Sequence, residues 1–185
     1  MNNSFYSEKE LKSLGINSYG TNVLISKKCS IYSPENIQIG DNVRIDDFCI
    51  LSGKIKIGNN VHISAFNALY GKFGIEIHDY CGISPRCTLF SAADDFSGEF
   101  MISPMVDEKY TNVTGGKIIL KDFCQIGANS IVMPSVIFEE GAVAGAFSFV
   151  KENLEEWSIY AGIPAKKIKV RNKRILELEK ELNGK

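Results

Sequence analysis

The chain has 185 residues, with 21 Lys+Arg against 22 Asp+Glu and a formal net charge of -1. That balance argues against a large basic footprint for nucleic acid, and 44% hydrophobic with 23% charged residues fits a folded domain rather than a disordered or collagen-like chain. No apolar run approaches the roughly 20 residues that cross a bilayer, and the stretch Met1 to Glu8 has neither the basic nor the apolar region of a signal peptide, so a cytoplasmic protein of one domain is expected.

In chain order, Ser7 to Gly15 reads as a short helix. Ser7 and Glu10 make a capping-box pair, and Gly15 fits the stop. Aliphatic residues then recur every six positions. An earlier stretch gives Ile25, Ile31 and Ile37, and Ile39, Ile45, Leu51, Ile57, Ile63, Leu69 and Ile75 form an unbroken run. A two-residue shift leads to Ile77, Ile83 and Leu89, and Leu120, Ile126, Val132, Phe138, Ala144 and Val150 resume the rhythm beyond an interruption. A helix repeats near 3.6 residues and a strand at 2, so neither alone explains a sustained six. The fourth position after most of these aliphatic residues is small or apolar, with the amide Asn67 after Ile63, and all five cysteines, Cys29, Cys49, Cys81, Cys87 and Cys124, fall in that slot. They are expected to be small buried groups, with no disulfide framework and no zinc site. The position just after the aliphatic residue is often glycine, as at Gly40, Gly58, Gly127 and Gly145, which suggests a turn with an unusual backbone angle.

Short strands with a turn every six residues cannot bury themselves alone. Stacked as coils of a parallel β-helix they share one interior, and three hexads per coil make a triangular prism. Between Leu89 and Leu120 the period is lost, and a loop this long is expected to be functional. After Pro164, Arg171 to Leu182 reads as a charged helix with Ile175, Leu178 and Leu182 on one stripe, packing on the prism or on a neighbour. The expected layout is therefore a single domain. It has a helical cap over residues 1–18, an all-β solenoid over 19–170 with a protruding loop at 90–117, and a C-terminal helix over 171–185.

The recurring aliphatic-Gly-x-x-small-x pattern, from about Ile25 to Lys169, resembles the hexapeptide-repeat acyltransferases, and most closely the galactoside- and maltose-type sugar O-acetyltransferases. The resemblance implies a left-handed β-helix, a homotrimer, acetyl-CoA as cosubstrate, no metal, and a sugar or nucleotide-sugar acceptor. It points to acetylation of a sugar hydroxyl in cell-surface polysaccharide synthesis. N-acetylation of a nucleotide-linked amino sugar is the alternative within the enzymes, and a non-catalytic trimeric scaffold the alternative outside them. Those acetyltransferases place a histidine base at the start of the protruding loop, and here its place falls on Asp94, in Ser91-Ala92-Ala93-Asp94-Asp95-Phe96. Three readings stay open. Asp94 or Asp95 is the base, one of the pair being raised by the other in a partly dry cleft. A histidine from another coil or subunit serves, His62 or His78. Or an amine acceptor needs no base. The resemblance further assigns sugar contact to Asn67, and Tyr70, one residue into the next hexad, offers an aromatic face on which a sugar ring could stack. CoA contact falls to Ala128, Ala146 and Lys151, and to Lys166 and Lys169 in the closing Gly162-Ile163-Pro164-Ala165-Lys166 stretch. The two histidines cannot supply the three that the zinc enzymes of this fold use.

Overall fold

A computed structural model describes residues 4–184. Met1 to Asn3, at the start of the stretch read for a leader, and Lys185, at the end of the C-terminal segment, lie outside the described residues. The chain winds as a left-handed parallel β-helix of about 7 turns. Most strands are only two or three residues long, such as Arg44–Ile45, His62–Ile63 and Gly82–Ile83, while Ile50–Ile57 and Ala68–Ile77 run on through a corner. One side chain of each strand points in and its neighbour points out, as strand geometry requires.

Parallel pairing places every inner residue on its counterpart one coil away. On the first face the ladder runs Ile25, Ile45, Ile63, Ile83, Ile126, Ala144 and Tyr160. The second runs Ile31, Leu51, Leu69, Leu89, Val132 and Val150, and the third includes Ile39, Ile57, Ile77, Leu120 and Phe138. From Ile25 to Val150 these residues are at most 4% exposed, apart from Ile31 at the open end. They are the residues of the six-residue series. The second ladder passes from Leu89 straight to Val132, so the protruding loop is an insertion that leaves the inner wall intact. The small slot is also inside. Cys49, Cys81, Cys87 and Cys124 are buried free thiols, and Cys29, near the end, is half-buried. The Cys124 thiol beside Cys81, together with burial, pushes the Cys81 thiol up, so it stays protonated.

The glycines after the inner residues serve a different purpose from the one expected. The left-handed backbone falls two residues later, at Asn42, Asn60, Asn129 and Phe147, with φ of 55°, 56°, 58° and 56°. Glycine is needed because adjacent coils approach closely. A Cβ at Gly127 would lie 2.4 Å from the Ala146 amide nitrogen, and one at Gly40 would lie 2.6 Å from the Gly58 carbonyl oxygen. Left-handed corners cost non-glycine residues on the order of 1 kcal/mol each, and side-chain columns offset that cost. At one corner Asn22 donates to Asn42 and Asn42 to Asn60, at 3.0 and 3.2 Å. Further along, Tyr80, Phe123 and Trp157 stack with centroids 5.1 and 6.1 Å apart.

At the N-terminal end, the helix Glu8–Ser13 carries the capping box between Ser7 and Glu10 in both directions. The C-terminal helix is shorter than expected, Ile175–Asn183. Ahead of it, Lys166–Val170 forms a strand antiparallel to Ser158–Ala161 that closes the last coil. Leu178 and Leu182 stay exposed while Ile175 is half-buried, and the helix end is tied to the prism by the Tyr80 hydroxyl, which donates to Asn183 Oδ1 at 3.3 Å.

The inner wall gives a direct test. Ile57→Ala should cost about 2–5 kcal/mol of stability through lost packing, read as a lower denaturant midpoint. Lys56→Ala, one residue away on the outer face, should stay within about 0.5 kcal/mol. Equal effects would contradict the alternation.

Candidate active site

Three coils carry extra residues at the same corner. The coil from Leu51 to Ile57 turns it with none, through Gly53-Lys54, whereas the coils from Ile31 to Ile39 and from Leu69 to Ile77 each hold two more, the latter within Gly71 to Gly74, with Gly53 paired to Gly71 and Ile55 to Ile75. This second excursion is the two-residue shift seen in the periodicity. In the third coil the long loop departs after Ser91. Ser91 is fully buried, and it is the joint. Its hydroxyl donates to the Tyr70 carbonyl and accepts from the Phe73 amide, both at 2.9 Å. Its own amide bonds to Tyr70 and its carbonyl accepts from Gly116, both at 3.0 Å. Beyond it Ala92–Ala93 pairs antiparallel with Thr114–Gly115, so the loop leaves and returns as a two-stranded ribbon.

Between ribbon and excursion lies a cleft of about 570 Å³. Lys72 enters it from the excursion and Asp94 from the end of the ribbon. Glu108, Ser103, Thr111 and Asn112 are on its walls. Asp94 is exposed to it. Asp95 is turned to local use: its carboxylate accepts from the Ser97 amide at 3.2 Å and the Ser97 hydroxyl at 2.6 Å. The adjacent carboxylates therefore do not form one unit, and only Asp94 lines the cleft.

Neither histidine is among the residues around Asp94. His62 sits on the outer side of the first face, with Nε2 2.8 Å from Asp46 Oδ2, while Arg44 Nε donates to Asp46 Oδ1 at 2.7 Å. Burial pushes the Asp46 carboxyl up, but the hydrogen bonds from His62 and Arg44 outweigh it and hold it below its ordinary value. His78 is exposed, 3.9 Å from Asp122. Asn67 lies inside the prism at 1% exposure. Its Nδ2 donates to the Ser64 and Ile83 carbonyls and its Oδ1 accepts from the Cys87 amide at 2.7 Å. That amide ties coils together and has no face to offer a sugar. Tyr70 is exposed beside the loop base, one ring face stacked on Phe90 at 5.5 Å.

The expected CoA residues form a second group. Ala128 and Ala146 lie on successive coils, linked by the Phe147 amide to the Ala128 carbonyl at 2.8 Å. Lys151 is exposed past the strand Phe149–Val150. Lys166 and Lys169 are exposed on the closing strand, and neither makes an ion pair among the described residues, whereas Lys167 between them is held by Glu155 at 2.6 Å. Two polar residues escaped the sequence reading. For Lys72 the only signal in the sequence is the nearby two-residue shift in period. Ser84 stands in the slot after Ile83, in the row that also holds Gly127 and Gly145, and its hydroxyl accepts from Gln125 Nε2 at 3.1 Å.

Comparison with known proteins adds the chemistry. Residues 36–70 match the family described as bacterial transferase hexapeptide (six repeats). The dTDP-4-amino-4,6-dideoxy-D-glucose acyltransferase of Escherichia coli is 44% identical over 179 residues, covering 95% of this chain and 93% of that one. AntD, an N-acyltransferase from Bacillus cereus solved with dTDP and 3-hydroxybutyryl-CoA, superposes with a TM-score of 0.96 at 54% identity, covering 98% of this chain and 97% of that one. It has also been solved as an S84C variant with dTDP-4-amino-4,6-dideoxyglucose and coenzyme A, and as a D94N variant with dTDP and coenzyme A. In this chain, too, residues 84 and 94 are Ser and Asp. A galactoside acetyltransferase bound to coenzyme A shares the fold, with a TM-score of 0.63 at 22% identity over 94% of this chain and 76% of that one. These likenesses overturn the expected transfer to a sugar hydroxyl. The relatives matching over the whole length act on an amino sugar, and an aspartate where the sugar O-acetyltransferases carry histidine agrees with an acceptor that attacks without first losing a proton.

Ser91→Ala would remove both side-chain bonds at the joint and leave the part-buried Phe73 amide without its partner. The expected cost is about 1–3 kcal/mol, with faster hydrogen exchange confined to residues 92–115. Exchange that stays unchanged there would show that Ser91 does not hold the loop.

Proposed function

We propose that this chain, which belongs to the hexapeptide-repeat acyltransferase family, transfers an acyl group from a CoA thioester to the 4-amino group of dTDP-4-amino-4,6-dideoxyglucose. The observation that carries the acceptor is the whole-length similarity to AntD, which binds that sugar nucleotide and coenzyme A.

The chemistry follows from the nucleophile. A neutral amine carries its own lone pair and attacks the thioester carbonyl directly. The N–C bond forms, the carbonyl oxygen gains negative charge, and the nitrogen holds one proton too many. Asp94 accepts that proton. The C–S bond then breaks, and CoA leaves as a thiolate that takes up the proton. An unperturbed Asp, with a pKa near 3.9, is a poor base toward a hydroxyl, but it suffices for the acidic N–H of the addition intermediate. The Ser84 hydroxyl accepts from Gln125, which leaves its own proton to donate to the developing oxyanion.

In a single chain Ser84 lies on the first face and Asp94 on the loop that leaves a different corner. A homotrimer, with the loop of one subunit covering the next, would join them. The exposure of Phe96 (85%) and Met105 (90%) on the loop supports such a contact. The CoA arm runs past Ala128 and Ala146, and Lys151, Lys166 and Lys169 meet its phosphates, since clustered ammonium groups favour a polyanion. The chain works as one domain in the cytoplasm, where CoA thioesters and sugar nucleotides are available, and its product supplies cell-surface polysaccharide. No helix among the described residues is long and apolar enough to cross a membrane.

Thiol release from acetyl-CoA and from 3-hydroxybutyryl-CoA tests the reaction. The dTDP-linked 4-amino sugar should turn over, and the same sugar with a 4-hydroxyl should not. Asp94→Asn should lower kcat by about 100-fold or more, with Asp95→Asn within a few-fold. Turnover of the hydroxyl sugar, or equal effects of the two substitutions, would contradict the reading. The double change Lys166→Ala and Lys169→Ala should raise KM for the acyl-CoA about tenfold and leave KM for the sugar unchanged. Equal effects on both would count against phosphate contact.

A further inference from the structure

Lys72 lies outside the hexad pattern. It sits in the Gly71 to Gly74 excursion, residues the inner ladder does not need, because Gly71 and Ile75 already pair in register with Gly53 and Ile55. It is exposed and has no hydrogen bond or ion pair among the described residues. Nearby Lys117, by contrast, is held by Glu76 at 2.6 Å. Among the described residues, Lys72 is also the one cation lining the cleft, which otherwise presents the carboxylates of Asp94 and Glu108 and the polar side chains of Ser103, Thr111 and Asn112.

An anion entering a cleft with two carboxylates meets repulsion, and an unpaired ammonium at one side provides the place where it is held. The walls thus suit a ligand that is anionic at one end, hydroxylated in the middle and basic at the other. A sugar nucleotide with its diphosphate at C1 and its amine at C4, across the ring, has that form. The cleft also has a fixed span. Ser91 bonds the Phe73 amide, next to Lys72, and begins the ribbon that ends at Asp94, so one buried residue sets the positions of both.

We propose that Lys72 binds the diphosphate of the sugar nucleotide and thereby places the C4 amine at Asp94. This rests on the sugar-nucleotide reading above and adds the residue that sets where the amine falls. Lys72 is a binding residue, so its loss acts on the nucleotide and not on the acyl donor.

Calorimetric titration with dTDP and with thymidine separates the two claims. Wild-type protein should bind dTDP at least about tenfold more tightly than thymidine, a ratio typical of one charge-assisted contact. Lys72→Ala should lose most of that advantage and leave thymidine binding unchanged. Lys72→Arg should keep it, and Lys56→Ala, on the outer face of the strand Ile50–Ile57, should have no effect. In turnover, Lys72→Ala should raise KM for the amino sugar about tenfold or more with KM for the acyl-CoA unchanged. If wild type binds dTDP and Lys72→Ala binds it equally well, the Lys72 assignment is overturned while the sugar-nucleotide reading stands. If wild type binds no dTDP yet acylates another amine, the sugar-nucleotide reading fails and the assignment falls with it.

Discussion

An inner side chain resting on its counterpart one coil away is the contact on which the remainder of the molecule depends. Parallel strands are held about 4.8 Å apart by their backbone bonds, so each ladder is a continuous column of aliphatic contacts with no room for a residue out of step. A single slip would turn an isoleucine outward and a lysine or histidine inward. The constraint applies to one residue in six and to the small slot beside it, and it leaves the outer positions and corners free to vary. Glycine enters where even a Cβ would strike the next coil, as at Gly127.

Function is built on that freedom. Extra residues can leave only at a corner, and the chain must come back in register for the next coil. Three coils do so at one corner, two of them with a pair of extra residues, and the last becomes the loop that carries Asp94. Ser91 converts a flexible insertion into a positioned one, since its four hydrogen bonds tie the loop base to the coil below. Rigid wall, corner insertion and buried joint together define a cleft with a carboxylate on one side and an ammonium on the other.

Much of the fold was legible in the sequence because burial there has one period. The inner ladders, the uninterrupted wall across the loop, the buried cysteines and the Ser7–Glu10 cap all follow from spacing. Legibility ended where a residue type has more than one physical use. The glycines after the inner residues looked like turn formers, yet they answer steric approach between coils, which depends on contacts many residues apart. Asn67 looked like a ligand-facing amide and is a buried tie between coils. The adjacent Asp94 and Asp95 could not be told apart until the Ser97 turn claimed one of them. The C-terminal helix was drawn too long because an antiparallel strand closes the last coil, and a closing strand lies outside the hexad rule. The acceptor was misjudged for a related reason. The repeat specifies the scaffold, while the acceptor is set by a few residues on it, and the aspartate in place of histidine was the one local sign of an amine.

The central claim is that the corner cleft holds an amino-sugar nucleotide with its amine at Asp94. A crystal structure of the protein with dTDP-4-amino-4,6-dideoxyglucose and coenzyme A tests it most directly. The account predicts the C4 nitrogen within hydrogen-bond distance of the Asp94 carboxylate, about 2.7–3.2 Å, and the diphosphate against Lys72. A sugar whose amine points away from Asp94, with Asp94 facing only solvent, would contradict it.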